Sequence, residues 1–356
     1  MIVALHATNY FPWAAGAKGL PLEMGVSFFF VLSGFILTHV YSQRRVGFAR
    51  FLATRLARLW PVHAVTCAMV LLFIRADSQQ LSGTGFFDPM VVLGFNLTLL
   101  HALVPFQIYA FSWNSVSWSI STELFFYLAF PALLVGIGRN WPWKLAACAA
   151  IILAFEGIAA AFGIPAGAGP TELNLFFMAY ASPLFRSFEF VLGMAAHGAW
   201  LAARHWLTKK NRATVCEALA LALTIATMLG IASISMSVRN VLPAMAFWVT
   251  TGGACFAFAL LIVAFADGRG VLGRLLSTRP LVWLGEISFA LYMVHQILMK
   301  WIFIQQLEGK MQPAGPLLVM GACLLAAATL HHLVELPARQ ALLRLLLRQK
   351  RAVAPP

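Results

Sequence analysis

Residues 24–61 read MGVSFFFVLSGFILTHVYSQRRVGFARFLATRLARLWP, and this stretch decides what kind of molecule the chain is. The apolar run through Phe28 to His39 gives way to Arg44, Arg45, Arg50, Arg55 and Arg58, after which apolar sequence resumes. A helix rises about 1.5 Å per residue, so roughly 20 apolar residues cross the roughly 30 Å of bilayer hydrocarbon. Apolar span, arginine cluster, apolar span is the pattern of two transmembrane helices joined at the cytoplasmic face, where Lys and Arg collect in short loops.

The rest of the chain repeats this pattern. Of 356 residues, 61% are hydrophobic and 10% are charged, where soluble domains carry about 25% charged residues. Apolar runs fall near 1–15, 25–41, 60–75, 89–104, 118–138, 143–163, 183–203, 213–233, 242–266, 280–304 and 314–335. Basic residues cluster at Arg44 to Arg58, Arg139 with Lys144, Arg204 to Arg212, Arg269 to Arg279, and Arg339 to Arg351, which together hold 19 of the 25. Placing all five clusters on one face requires an even number of crossings between the first two. One of the three candidates between them must therefore fail. The run 89–104 is short, carries Asn96, Thr98 and His101, and closes at Pro105, so it reads as re-entrant or interfacial.

The expected fold is all-α: a polytopic bundle of about ten spans plus that segment, with both termini cytoplasmic. Residues 1–338 form the transmembrane domain and 339–356 a basic tail. The first span holds at most about 15 apolar residues, short of the roughly 20 required, which predicts a natural start upstream of Met1. It lacks the basic n-region and cleavage site of a signal peptide. The net charge of +13 is dispersed between spans and does not form a nucleic-acid stripe. The five cysteines, Cys67, Cys148, Cys216, Cys255 and Cys323, show neither CxxC nor Cys/His spacing, so neither a disulfide framework nor a metal site is expected.

Ionisable groups inside a span are costly unless paired or hydrated, and each is a functional candidate. His6 lies in IVALHATNYF; it serves chemistry or hydrogen-bonds a neighbouring helix. Arg55 and Arg58 share a helix face, fitted either to anchoring at the inner surface or to gripping phosphates through paired guanidinium forks. Ser119, Glu123 and Tyr127 in SWSISTELFFYLAFP are spaced by four on one face, and Glu123 needs a partner from another helix. Ser288, Tyr292 and His295 in LGEISFALYMVH form a similar face, with His295 either a relay or a structural hydrogen-bonder. Arg186 and Glu189 sit three apart and satisfy each other. Glu156 and the group His331, His332 and Glu335 have no assigned role.

LHATNYF, MGVSFFFVLSGFILT with the paired arginines and Trp60-Pro61, SWSISTELFFYLAFP, SPLFRSFEFVLG, and LGEISFALYMVH with VELPAR occur in this order. Together they resemble the acyltransferase 3 family of membrane O-acyltransferases, which modify bacterial surface polysaccharides and related acceptors. The resemblance covers nearly the whole chain. It implies a catalytic histidine at His6, an Arg-x-x-Arg motif at Arg55 and Arg58 that handles acyl-coenzyme A as co-substrate, and the family's acidic position at Glu123. Tyr127 and His295 are candidate donors to a developing oxyanion. The implied partners are an acyl-coenzyme A donor, a carbohydrate or other hydroxyl acceptor, and membrane lipid. The family's arginine eleven residues before the histidine would precede Met1. A proton-coupled transporter and a catalytically inactive relative are the competing readings; no inverted repeat supports the former.

Overall fold

A computed structural model describes residues 1–44, 46–74 and 84–352. Its helices are α1 (Ile2–Ala7), α2 (Gly25–Tyr41), α3 (Phe48–Phe73), α4 (Pro89–Leu97), α5 (Gln107–Phe111), α6 (Trp118–Leu134), α7 (Ile137–Phe162) and α8 (Leu175–Ala181). There follow α9 (Pro183–Ala203), α10 (Lys210–Val238), α11 (Pro243–Gly252), α12 (Cys255–Phe265), α13 (Val271–Leu276), α14 (Arg279–Leu307), α15 (Pro316–Leu330) and α16 (Leu336–Ala352). A proline opens or follows the first residue of α4, α9, α11, α14 and α15. There its missing N–H leaves no extra donor unpaired, and its fixed φ suits the first helical turn.

Among the described residues, nine helical stretches are long and apolar enough to cross a bilayer. They are 22–41, 48–73, 115–134, 137–162, 175–203, 210–238, 243–265, 279–307 and 316–344. The bundle is thus all-α and polytopic, as expected, with nine crossings where the apolar runs predicted ten. The difference is the first candidate. Residues 1–15 make only the six-residue α1 followed by 3₁₀ turns at Pro12–Ala17 and Leu22–Met24. Met1 and Ile2 lie against Gly25, at the opening of α2. Pro12, Gly16, Gly19 and Pro21 break the run before it reaches bilayer length. The 89–104 segment divides into α4 and a 3₁₀ turn at His101–Leu103, too short to cross, as the charge argument requires.

Two carboxylates that the sequence leaves unassigned are helix caps. Glu156 accepts the Met245 amide at 3.0 Å near the start of α11. Glu217, fully buried, accepts the amides of Gly270 and Gly273 at 2.9 and 3.1 Å at the start of α13. Each satisfies amides that a helix start leaves without partners. His331 and Glu335 bond at 2.9 Å across a π-helical turn, Leu330 and Leu336 flanking it, that joins α15 to α16.

The closest helix approach is between α2 and α9. A Cβ on Gly34 would stand 2.0 Å from the Phe190 carbonyl oxygen, and one on Gly193 would stand 1.9 Å from that of Val31. Small residues at such crossings let backbones touch, and van der Waals packing drives helix association where lipid removes the hydrophobic drive. Because the obstructing atoms are backbone, the helices themselves must separate to admit a methyl group. Gly193→Ala is expected to lower stability by about 1–3 kcal/mol. Gly230→Ala, where a Cβ meets nothing within 4 Å, is the control and is expected to be neutral or stabilising. Thermal unfolding of the purified protein in lipid measures both.

Candidate active site

The polar residues singled out from sequence gather around two cavities inside the bundle. The first, about 260 Å³, is walled by α2, α3, α6 and α14, and is lined by Ser33, Arg55, Arg58, Ser119, Glu123, Tyr127, Ser288 and Tyr292 among apolar side chains. The four-residue spacing of Ser119, Glu123 and Tyr127 does put all three on the face that lines this space. Glu123 accepts hydrogen bonds from Tyr127 at 2.5 Å and from Ser33 of α2 at 3.3 Å. Its partners are therefore hydroxyls and not an imidazole, and Tyr127, wholly enclosed, is committed to it.

Arg55 and Arg58 enter this cavity one helical turn apart on α3. Arg55 lies over the Tyr41 ring at 5.9 Å from its centroid. Its Nε is buried with no hydrogen-bond partner, and neither guanidinium is ion-paired among the described residues. An orphaned guanidinium nitrogen beside a second arginine is chemically fitted to an anion from outside the chain.

The second cavity, about 650 Å³, contains His6, Asn9, Glu23, Gln107, Ser115, Tyr180, Gln296 and Lys300, with Phe111, Trp118 and Phe176. His6 of α1 lies beside His295 of α14, its Nδ1 2.8 Å from His295 Nε2, with the rings within 13° of parallel. His295 is fully buried, and its Nδ1 is 3.1 Å from the Leu291 carbonyl one turn earlier. Val26 and Tyr292 line both cavities. The Tyr292 hydroxyl is fixed at this partition by the Val116 carbonyl at 3.0 Å and by Ser119 at 2.8 Å.

The predicted residues thus form two groups. His6 joins His295, while Glu123 and Tyr127 join Arg55 and Arg58. Arg186 and Glu189 belong to neither; they make a buried ion pair at 3.1 Å, with Arg186 also donating to Thr251 at 2.9 Å and lying over Phe30. Sequence reasoning passed over Ser33, Asn9, Gln107 and Gln296, because an uncharged polar side chain in an apolar run raises no electrostatic alarm. It also passed over the buried pair His63 and His101, stacked at 6.0 Å and bonded to Asn96 and Ser117. His101 lay in the discarded span.

A polytopic bundle with a paired-arginine chamber adjoining one that holds His6 fits a membrane-embedded group-transfer enzyme. Comparison with known proteins names the group. Residues 1–332 match the acyltransferase domain that defines the acyltransferase 3 family, and the chain belongs to that family. It is a membrane acyltransferase. It is 30% identical over 342 residues to "Acyltransferase MdmB" of Streptomyces mycarofaciens, covering 88% of this chain and 80% of that one. It is 25% identical over 349 residues to "Putative peptidoglycan O-acetyltransferase YrhL" of Bacillus subtilis (strain 168), covering 92% of this chain and 51% of that protein. No solved structure matches the chain.

The buried ion pair gives a stability prediction that separates structure from catalysis. Arg186→Leu leaves the Glu189 carboxylate uncompensated and is expected to cost about 3–5 kcal/mol. The double variant Arg186→Leu with Glu189→Leu is expected to recover most of that loss, since it removes both charges. Comparing unfolding midpoints of the two variants in lipid checks this.

Proposed function

We propose that the protein transfers an acetyl group from cytoplasmic acyl-coenzyme A to a hydroxyl of a cell-surface carbohydrate. The observation that carries this reading is the pair of cavities meeting at Val26 and Tyr292, one with two guanidinium groups that have no ion-pair partner among the described residues and the other with His6 among amide, hydroxyl, charged and aromatic side chains. Coenzyme A offers phosphates, which suit Arg55 and Arg58. The first cavity, about 260 Å³, lies below the roughly 300–1,000 Å³ that enclose a drug-sized ligand. It therefore takes a slim pantetheine arm and leaves the nucleotide at the mouth beside exposed Arg58. The second cavity combines amide, hydroxyl and charged groups, Glu23 and Lys300 among them, with aromatic faces, a mix suited to a sugar's hydroxyls and its apolar ring edges. The printed name of the Bacillus relative, a peptidoglycan O-acetyltransferase, agrees with both the acetyl group and a carbohydrate acceptor.

The membrane in this reading is the bacterial inner membrane, with the five basic clusters and the C-terminal tail in the cytoplasm. With nine crossings, this reading has α1 and His6 toward the opposite face. The donor enters from the arginine side and the acceptor from the histidine side. The thioester passes between Val26 and Tyr292. His6 takes the proton of the acceptor hydroxyl, the oxygen attacks the thioester carbonyl carbon, the carbon–sulfur bond breaks, and the proton returns to the departing thiolate.

Purified protein in lipid, supplied with acetyl-coenzyme A, tests this directly. Wild type is expected to release coenzyme A. His6→Ala is expected to lower kcat by about 100-fold or more, the ordinary worth of a general base. Arg58→Ala is expected to raise KM about tenfold or more with a smaller effect on kcat, since a hydrogen bond to a charged group is worth about 1.5–3 kcal/mol. If wild type neither binds nor consumes the thioester, donor and site assignments fall together, and proton-coupled transport becomes the reading to test.

A further inference from the structure

We infer that His295 is a positioning residue that fixes the tautomer of His6, so that a backbone carbonyl, His295 and His6 act in line as carbonyl, orienting imidazole and base. The inference rests on the functional reading above in giving His6 a proton to take, and it goes further in assigning where each proton sits. The argument begins at Leu291. Its carbonyl oxygen accepts only, and His295 Nδ1 lies 3.1 Å from it, so Nδ1 carries the hydrogen. His295 is fully buried, and among the described residues no carboxylate bonds to either ring. A buried, unpaired charge is costly, so the ring is neutral and has a single N–H. That hydrogen is spent on Leu291, and Nε2 is left as a lone pair.

His6 Nδ1 stands 2.8 Å from that lone pair, so it must be the donor. A neutral His6 with its hydrogen on Nδ1 presents an unprotonated Nε2, the form required to accept a proton from a hydroxyl. The oxyanion role expected for His295 is thereby withdrawn, because its one N–H points to its own helix and its other nitrogen accepts. When His6 Nε2 takes the acceptor proton, the resulting imidazolium keeps its Nδ1–H directed at His295 Nε2, which stabilises the new charge without any carboxylate in the membrane. Orientation of a catalytic imidazole by a hydrogen bond to its other nitrogen is a general device. Here the orienting group is a second imidazole, fixed in turn by the helix i→i−4 carbonyl. A neutral chain of this kind avoids placing an anion at bilayer depth.

His295→Phe removes the acceptor while keeping a flat ring, and His295→Gln restores an amide with one acceptor and one donor end. In lipid, His295→Phe is expected to lower kcat for acetyl-coenzyme A by about 100-fold, with KM for the donor within about twofold. His295→Gln is expected to recover about tenfold or more of that loss. A kcat for His295→Phe within about twofold of wild type overturns the proposal, as does an equal loss in Phe and Gln variants whose unfolding midpoints match wild type. The tautomer is read independently of turnover by nitrogen-15 resonance of histidine-labelled protein, with His6 assigned by difference from His6→Asn. Wild-type His6 is expected to be protonated at Nδ1, and His295→Phe to show a mixture of both tautomers. Protonation of wild-type His6 at Nε2 overturns the proposal even if the enzyme is active. Absence of acetyl-coenzyme A turnover with Nδ1 protonation intact strikes the functional reading and leaves the positioning one standing.

Discussion

The contact of α2 with α9 through Gly34 and Gly193 sets the geometry on which the site depends. Two helices whose carbonyl oxygens occupy the space of each other's missing side chains have little freedom to slide or rotate. That crossing fixes the facing of α2, and α2 supplies Val26 to both cavities and Ser33 to the carboxylate of Glu123. Around it, Phe30, Phe126 and Phe190 interlock, Phe126 and Phe190 stacking at 4.6 Å. The aromatic cluster carries no polar atom and holds the polar cavities at a fixed separation.

Polar chemistry inside lipid requires each buried group to be satisfied by protein or by substrate. Several find partners within the protein: Arg186 pairs with Glu189 and donates to Thr251, Glu217 accepts two glycine amides, and Glu156 accepts the Met245 amide. The close approach at Gly270, where a Cβ would stand 2.1 Å from the Glu217 carboxylate, shows why glycine occupies that turn. Arg55 is informative among the buried groups that keep an unpartnered atom, because its Nε lies at the edge of a cavity beside a second arginine. The same accounting distinguishes a structural carboxylate such as Glu217, which is saturated by amides, from Glu123, which keeps only hydroxyl partners and faces open space.

In the proposed reading the two chambers divide the work. A phosphate-bearing donor calls for positive charge, which Arg55 and Arg58 supply on one side of Tyr292, while an acceptor hydroxyl calls for a base, which His6 supplies on the other. Only the thioester end of the donor then has to reach His6, past Val26 and Tyr292.

Much of this was legible in the residues themselves. Apolar runs of bilayer length and the one-sided clustering of arginines determined an all-α membrane bundle and excluded 89–104 as a span, because hydrocarbon thickness and positive-inside bias act on local sequence. Helical spacing likewise determined that Ser119, Glu123 and Tyr127 share a face, and that Arg55 and Arg58 do. What spacing within one helix cannot express is which helix stands opposite. Only the tertiary structure decided that His6 meets His295 across 289 residues and that Glu123 turns to Ser33 of α2. Those outcomes rest on helix packing, where a glycine pair or a single carbonyl selects one neighbour from many of equal hydrophobicity.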